Sequence, residues 1–139
     1  MSIRGYFVDS TRVINYILNM QESGEMYLET IYMLSLKNPD VHSVDVARDM
    51  GFSKPSVSRA MKILKEGDYI EIDENSHIQL KEKGLEIAKK MYERHNSISK
   101  FFIKIGVSEK NAVEDACRIE HVISEETFDA LKRHSKTLQ

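Results

Sequence analysis

Residues 43–70 read SVDVARDMGFSKPSVSRAMKILKEGDYI, and the punctuation in this stretch decides the fold. Ser43 is placed to cap a short helix carrying Val44, Val46, Ala47 and Met50, and Gly51 stands where such a helix ends in a left-handed residue. Ser53 then caps a second helix, with Pro55 in its first turn, where a missing N–H leaves no hydrogen bond unmade. Val57, Ala60, Met61 and Leu64 give that helix one apolar face, and Gly67 closes it. Two helices joined by a sharp glycine turn make a helix-turn-helix, whose second helix can enter a major groove.

Working outward, the hydrophobic period changes on the C-terminal side. Tyr69–Ile72 and His77–Leu80 alternate around the polar turn Asp73-Glu74-Asn75-Ser76, which predicts a two-stranded hairpin, the wing. On the N-terminal side, Tyr27, Leu28, Ile31, Tyr32 and Leu34 form a helical stripe from near Ser23 to Asn38-Pro39. Residues 9–21 predict a further amphipathic helix, capped by Asp9 or Ser10, with Val13, Ile14, Ile17 and Leu18 on one face. After the wing the helical period runs from Glu82 to about Ile105, with a kink expected near His95-Asn96 and a stop at Gly106. Ser108 and Ser124 each open one more helix. The expected fold is mainly α: a winged helix-turn-helix DNA-binding domain over 1–80, then an all-helical domain over 81–139.

Composition agrees with this. With 139 residues, 41% hydrophobic and 30% charged, and only 6 Gly and 2 Pro, the chain reads as a helix-rich globular protein. A single Cys excludes an intramolecular disulfide and fits a reducing, cytoplasmic setting. No run approaches the roughly 18–20 apolar residues of a membrane span, and the N-terminus lacks the pattern of a signal peptide. A cytoplasmic protein without a membrane partner is therefore expected. The net charge of −2 argues against a uniformly basic nucleic-acid binder, but the charges are segregated. Residues 54–65 hold Lys54, Arg59, Lys62 and Lys65 and no acid, or +4, whereas residues 109–126 hold six acids against Lys110 and Arg118, or −4.

Each end of that polarity predicts a ligand. Phosphate neutralisation supplies most non-specific DNA affinity, so a basic second helix suits a duplex. The expected contacts are Ser53, Lys54, Pro55, Ser56, Ser58, Arg59 and Lys62, with Arg59 able to bond a guanine or a phosphate. Taken alone, four basic residues also describe an ordinary solvated face. In the acidic region Cys117, Glu120 and His121 fall at i, i+3 and i+4 and project from one helical face, half of a metal site. Met26 and Glu29 share a face by the same spacing, and His95 lies midway along the long helix. Individually each has a plainer reading: a small buried thiol, a core methionine, solvated acids, a half-buried imidazole. Clustering argues otherwise, because burying a carboxylate beside a thiol is costly without a cation.

GEMYLETIYML (24–34), FSKPSVSRAMKILKEGDYI (52–70), the Arg94-His95 pair and EDACRIEHVISEE (114–126) together resemble the diphtheria-toxin-repressor (DtxR/MntR) family of metal-dependent transcriptional regulators. The resemblance covers about residues 23–134. It implies a winged-helix DNA-binding domain, then a helical domain that binds metal and forms a homodimer on operator DNA. It also implies Fe²⁺ or Mn²⁺ as corepressor of metal-uptake genes, and no enzymatic activity. Iron-type members have Met, Cys, Glu and His at the positions of Met26, Cys117, Glu120 and His121, while Glu29 and His95 match ligands of manganese-type members. The other two ancillary-site positions of iron-type members correspond to Ser99 and Val113, and their SH3-like domain has no counterpart in 139 residues. Thiolate and thioether donors favour Fe²⁺, with Mn²⁺ second and Co²⁺, Ni²⁺ or Zn²⁺ able to bind in vitro. Phe101, Phe102, Ile105, Ile119, Val122 and Ile123 are expected to form either a dimer core or an intrachain one. Two rival functions remain at this point: a MarR-like winged-helix regulator sensing oxidant or a small ligand at Cys117 without metal, and a metal-dependent hydrolase with Glu120 as base.

Overall fold

The glycines and serines of residues 43–70 act largely where their chemistry places them. The computed structural model describes residues 23–138, so the helix expected over 9–21 lies outside the described residues. Within them the chain forms α1 (23–37), α2 (Ser43–Met50), α3 (Lys54–Glu66), β1 (Ile70–Ile72), β2 (Ile78–Leu80), α4 (Glu82–Lys104), α5 (Glu109–Ile119) and α6 (Glu125–Ser135). Gly51 has φ 69° and its N–H bonds the Ala47 carbonyl, ending α2 sharply enough for α3 to follow across it. Ser53 caps α3 through Ser56 N–H, and Pro55 sits in the first turn. The cap of α2 is His42 rather than Ser43. The cause is Asp45, which accepts the His42 backbone N–H at 2.9 Å and so draws the helix start one residue earlier.

The wing is an antiparallel hairpin in the register Ile70↔Leu80, Glu71↔Gln79, Ile72↔Ile78. Ile70 and Ile78 turn inward onto Leu28, Ile31, Val46, Val57, Met61 and Leu64, forming the core of the first unit. The Ile78 N–H bonds the Val41 carbonyl at 2.7 Å, which anchors the wing to the loop before α2. A smaller core holds the C-terminal helices together, with Ile98, Ala116 and Phe128 buried and Phe102, Ile119, Ile123 and Leu131 packed around them. Of the six apolar residues left between dimer and intrachain roles, Phe102, Ile119 and Ile123 therefore serve an intrachain core. Ile105 and Val122 stay exposed, as do Ile103 and Val113.

The kink expected near His95-Asn96 does not interrupt the helix. α4 runs unbroken over 23 residues, with Ser99 Oγ donating to the His95 and Asn96 carbonyls along the helix. This one rod links the wing to the C-terminal unit. Its first turn fits closely, since a Cβ on Gly84 would run into the backbone carbonyl of Tyr69. Backbone cannot rotate away, so Gly84→Ala is expected to cost about 1–3 kcal/mol, typical of overpacking, and to lower the thermal midpoint. A midpoint equal to wild type would show that α4 and the wing are not rigidly apposed. Among the described residues, no helix is long and apolar enough to cross a membrane.

Candidate metal centre

Two elements far apart in sequence, α1 and the α5–α6 corner, meet beside α4. The apolar stripe of α1 docks on the first core and carries Glu29 inward with it, leaving only 7% of that residue exposed. From the other side come Glu120, fully buried, and His121, at the corner between α5 and α6. One ligand atom from each of Glu29, Glu120 and His121 lies within 4.8 Å of the others. His95, on the facing side of α4, places Nδ1 2.9 Å from Oε2 of Glu120. Nε2 of His121 stands 3.1 Å from Oε1 of Glu120, an ion-pair separation without hydrogen-bond alignment.

The electrostatics of this cluster call for a cation. Burial, followed by the proximity of Glu120 and Glu25, pushes the Glu29 carboxyl from its ordinary 4.5 up to about 9. Burial also works to raise Glu120, but interactions with His121, His95 and Glu29 outweigh it and hold that carboxyl below its ordinary value. Without metal, then, Glu29 carries a proton beside an ionised Glu120. Oε2 of Glu29, Oε1 of Glu120 and both ring nitrogens of His121 are buried without a hydrogen-bond partner. Orphaned acceptors of this kind are rare in protein interiors unless an ion or water serves them. Two carboxylates and an imidazole, with a second imidazole behind, form an oxygen and nitrogen donor set suited to a divalent transition metal.

A pH dependence follows. Between about 4.5 and about 9 the folded chain holds a proton on Glu29 that the unfolded chain has released, so metal-free stability falls as pH rises through that window. The thermal midpoint of the metal-free protein should drop from pH ~5.5 to pH ~8.5, and Glu29→Gln should flatten this slope. An unchanged slope in that variant would assign the dependence to another group.

The other expected ligands stand differently. Cys117 lies on the last turn of α5 and is exposed, outside the compact group. Although the residue as a whole is exposed, partial burial of its thiol, then the charges of Glu120 and Glu29, push its pKa up, so the thiol lies near both acids. Helical spacing puts Cys117, Glu120 and His121 on one face. α5 ends at Ile119, with Glu120 as its C-cap, still at helical dihedrals and bonding the Ala116 carbonyl, and His121 in the turn beyond. Met26 is half-buried on α1, one turn before Glu29.

The end of α5 is held by Arg94, whose role spacing could not reveal. Its Nη1 donates to the carbonyls of Glu120 and Ile123, both at 3.0 Å, and Nη2 reaches Oε1 of Glu125 at 3.4 Å. The guanidinium thus satisfies carbonyls that the helix leaves free and fixes the corner that presents Glu120 and His121. The only hint in the sequence is its place beside His95 on a helix face that must be buried.

On α3 and at its cap, Ser53, Lys54, Pro55, Ser58, Arg59 and Lys62 are exposed, and Ser56 is half-buried. Ser53 Oγ donates to Ser56 Oγ at 2.8 Å, so these two hydroxyls are engaged in capping. The basic residues Lys54, Arg59 and Lys62 stand on the outer face.

An exposed basic helix in a winged helix-turn-helix, coupled through one rod to a buried acid–histidine cluster, defines a metal-responsive DNA-binding regulator. Residues 19–78 match the N-terminal DNA-binding domain of the iron-dependent repressors, and residues 81–139 match their metal-binding and dimerisation domain. The chain belongs to this family, the DtxR/MntR metal-dependent transcriptional regulators, which are not enzymes. It is 34% identical over 115 residues to an HTH-type transcriptional regulator of Methanocaldococcus jannaschii, covering 81% of this chain and 92% of that one. It is also 34% identical over 106 residues to the transcriptional regulator MntR of Escherichia coli, covering 76% and 68%. Among solved structures it is similar to the manganese regulator SloR (TM-score 0.73, 27% identity) over 81% of this chain and 53% of that one. It is likewise similar to the metal-dependent transcriptional regulator MtsR (TM-score 0.75, 28% identity), again over 81% and 53%. The chain therefore spans about half the length of these two structures.

Proposed function

We propose that the chain binds duplex operator DNA as a homodimer when Fe²⁺, or secondarily Mn²⁺, occupies the buried cluster, and that it thereby represses genes of metal uptake. The observation that carries this reading is the meeting of Glu29 with Glu120 and His121. Glu29 belongs to α1, which packs in the DNA-reading unit, while the other two belong to the C-terminal unit. The working division is residues 1–80 for DNA and 81–139 for metal and dimer contacts.

Bound there, a divalent cation would supply positive charge in place of the proton on Glu29. The chain's own groups do the rest. Glu29, Glu120 and His121 hold the ion from two units, and His95 orients Glu120. Met26 and Cys117 stand as softer donors at the margin, favouring Fe²⁺ over Mn²⁺. Tying α1 to the α5–α6 corner limits the movement of α3 relative to the dimer, so two recognition helices align on successive half-sites. Ile103, Ile105, Val113 and Val122, exposed on the C-terminal unit, are the surface offered to a second copy. No support emerges for the MarR-like or hydrolase alternatives.

The test is a binding titration on a pool of random-sequence duplexes, performed anaerobically with Fe²⁺, Mn²⁺, Zn²⁺ or chelator, and repeated with Cys117→Ala. The proposal expects metal to raise DNA affinity at least tenfold. Equal affinity under all conditions would overturn it. In the same assay Lys62→Ala should weaken binding evenly across sequences and reduce the salt slope by about one. A change confined to particular sequences would place Lys62 on base edges instead.

A further inference from the structure

The turn between α2 and α3 is tied to α1 by a pair of aromatic rings. Phe52 follows Gly51, and its N–H reaches the Ala47 carbonyl at 3.2 Å, so the backbone that ends α2 also fixes the direction of this side chain. Phe52 stays 45% exposed, yet its ring meets that of Tyr27 edge to face, with centroids 6.0 Å apart and planes at 68°. The next residue, Ser53, caps the recognition helix. At the other end of the contact, Tyr27 stands two residues before Glu29 on α1, and two positions along a helix lie about 200° apart around its axis. Both residues are nonetheless buried, Tyr27 to 6% exposure and Glu29 to 7%. α1 is therefore enclosed on two faces. One carries Glu29 to the acid–histidine cluster, and the other carries Tyr27 to the turn.

We propose, resting on the metal-dependent reading above, that Tyr27 and Phe52 are positioning residues that pass the state of the metal cluster to the start of α3. A cation shared by Glu29, Glu120 and His121 would fix where α1 sits against the C-terminal unit. Because a helix moves as a rod, a shift imposed at Glu29 reaches Tyr27 within the same turn. The edge-to-face contact then constrains Phe52, whose backbone is bonded to the end of α2, and with it Ser53 and the first turn of α3. The pair sets the angle at which α3 is presented and binds neither metal nor DNA. Metal raises DNA affinity only by favouring one arrangement over another. Removing a ring should erase that difference while leaving both ligands their own contacts.

The test measures DNA affinity of the full chain with Fe²⁺ or Mn²⁺, kept anaerobic, and with chelator. The probe is a duplex selected from the random-sequence pool by the metal-loaded wild type, and metal titrations without DNA run beside it. Phe52→Leu keeps an apolar side chain but removes the ring, so the metal-dependent gain in DNA affinity should fall from at least tenfold to below about threefold. Its metal affinity without DNA and its DNA affinity with chelator should stay within about twofold of wild type. Tyr27→Phe, which keeps the ring, should retain the full gain. Tyr27→Leu combined with Phe52→Leu should lose no more of the gain than Phe52→Leu alone, because both act through one contact. A Phe52→Leu protein with the wild-type gain would overturn the proposal. Equal losses of affinity with and without metal, the mark of a DNA contact or a fold defect, would overturn it too. A wild type that gains nothing from either ion would overturn the metal-dependent reading as well, so the two failures are read from different proteins.

Discussion

Glu120→Gln is expected to weaken divalent-metal binding by about 100-fold or more, well beyond any change in the stability of the metal-free fold. The carboxylate is fully buried, and it is the common neighbour of Glu29, His95 and His121. Glutamine keeps its shape but removes the charge that a cation needs. In the metal-free protein the same change lets the Glu29 pKa fall, because Glu120 is one of the causes that push it up. A metal-free melt close to wild type beside a large loss of metal affinity is a combination that simple misfolding cannot produce. Calorimetric metal titration and a chelated thermal melt read the two quantities. Unchanged affinity would move the metal site elsewhere.

Arg94→Met is expected to have the largest effect on stability, about 3–5 kcal/mol, as for breaking a buried charged network. The side chain is only 6% exposed, so solvent does little to replace its partners. Its loss strands the carbonyls of Glu120 and Ile123 and frees the α5–α6 corner. Arg94→Lys keeps the charge but not the planar fork that reaches both carbonyls, so it should recover only part of the loss. Denaturant unfolding of the chelated protein checks the stability of both variants. Metal titration of Arg94→Lys, the milder change, should show affinity reduced beyond what its stability loss explains. A lysine variant with wild-type metal affinity would limit Arg94 to a structural role.

The parts of this molecule legible in its sequence are those set by local chemistry. Gly51, Ser53, Pro55 and the switch of period at Tyr69 act within a few residues of where they stand, and α2, the turn, α3 and the wing follow from them. The cap at His42 was less visible because Asp45 offered a better start than the serine between them. The metal cluster was legible by halves. Spacing paired Met26 with Glu29 and grouped Cys117 with Glu120 and His121, but only family resemblance joined the halves, since no local rule brings residue 29 beside residue 120. The corner beyond α5 shows the limit of the helical wheel. Periodicity places Cys117, Glu120 and His121 on a helix, but the Glu120 carbonyl is bound by an arginine 26 residues away. That burial depends on long-range packing and leaves no periodic trace.

The central claim is that one ion is held jointly by the DNA-reading unit and the C-terminal unit. The most direct measurement is a crystal structure of the Fe²⁺- or Mn²⁺-loaded protein, with anomalous scattering collected at the edge of that metal. The account predicts a peak within bonding distance of Glu29 on α1 and of Glu120 and His121 beyond α5. A peak coordinated by the C-terminal unit alone, with Glu29 turned away, would contradict it.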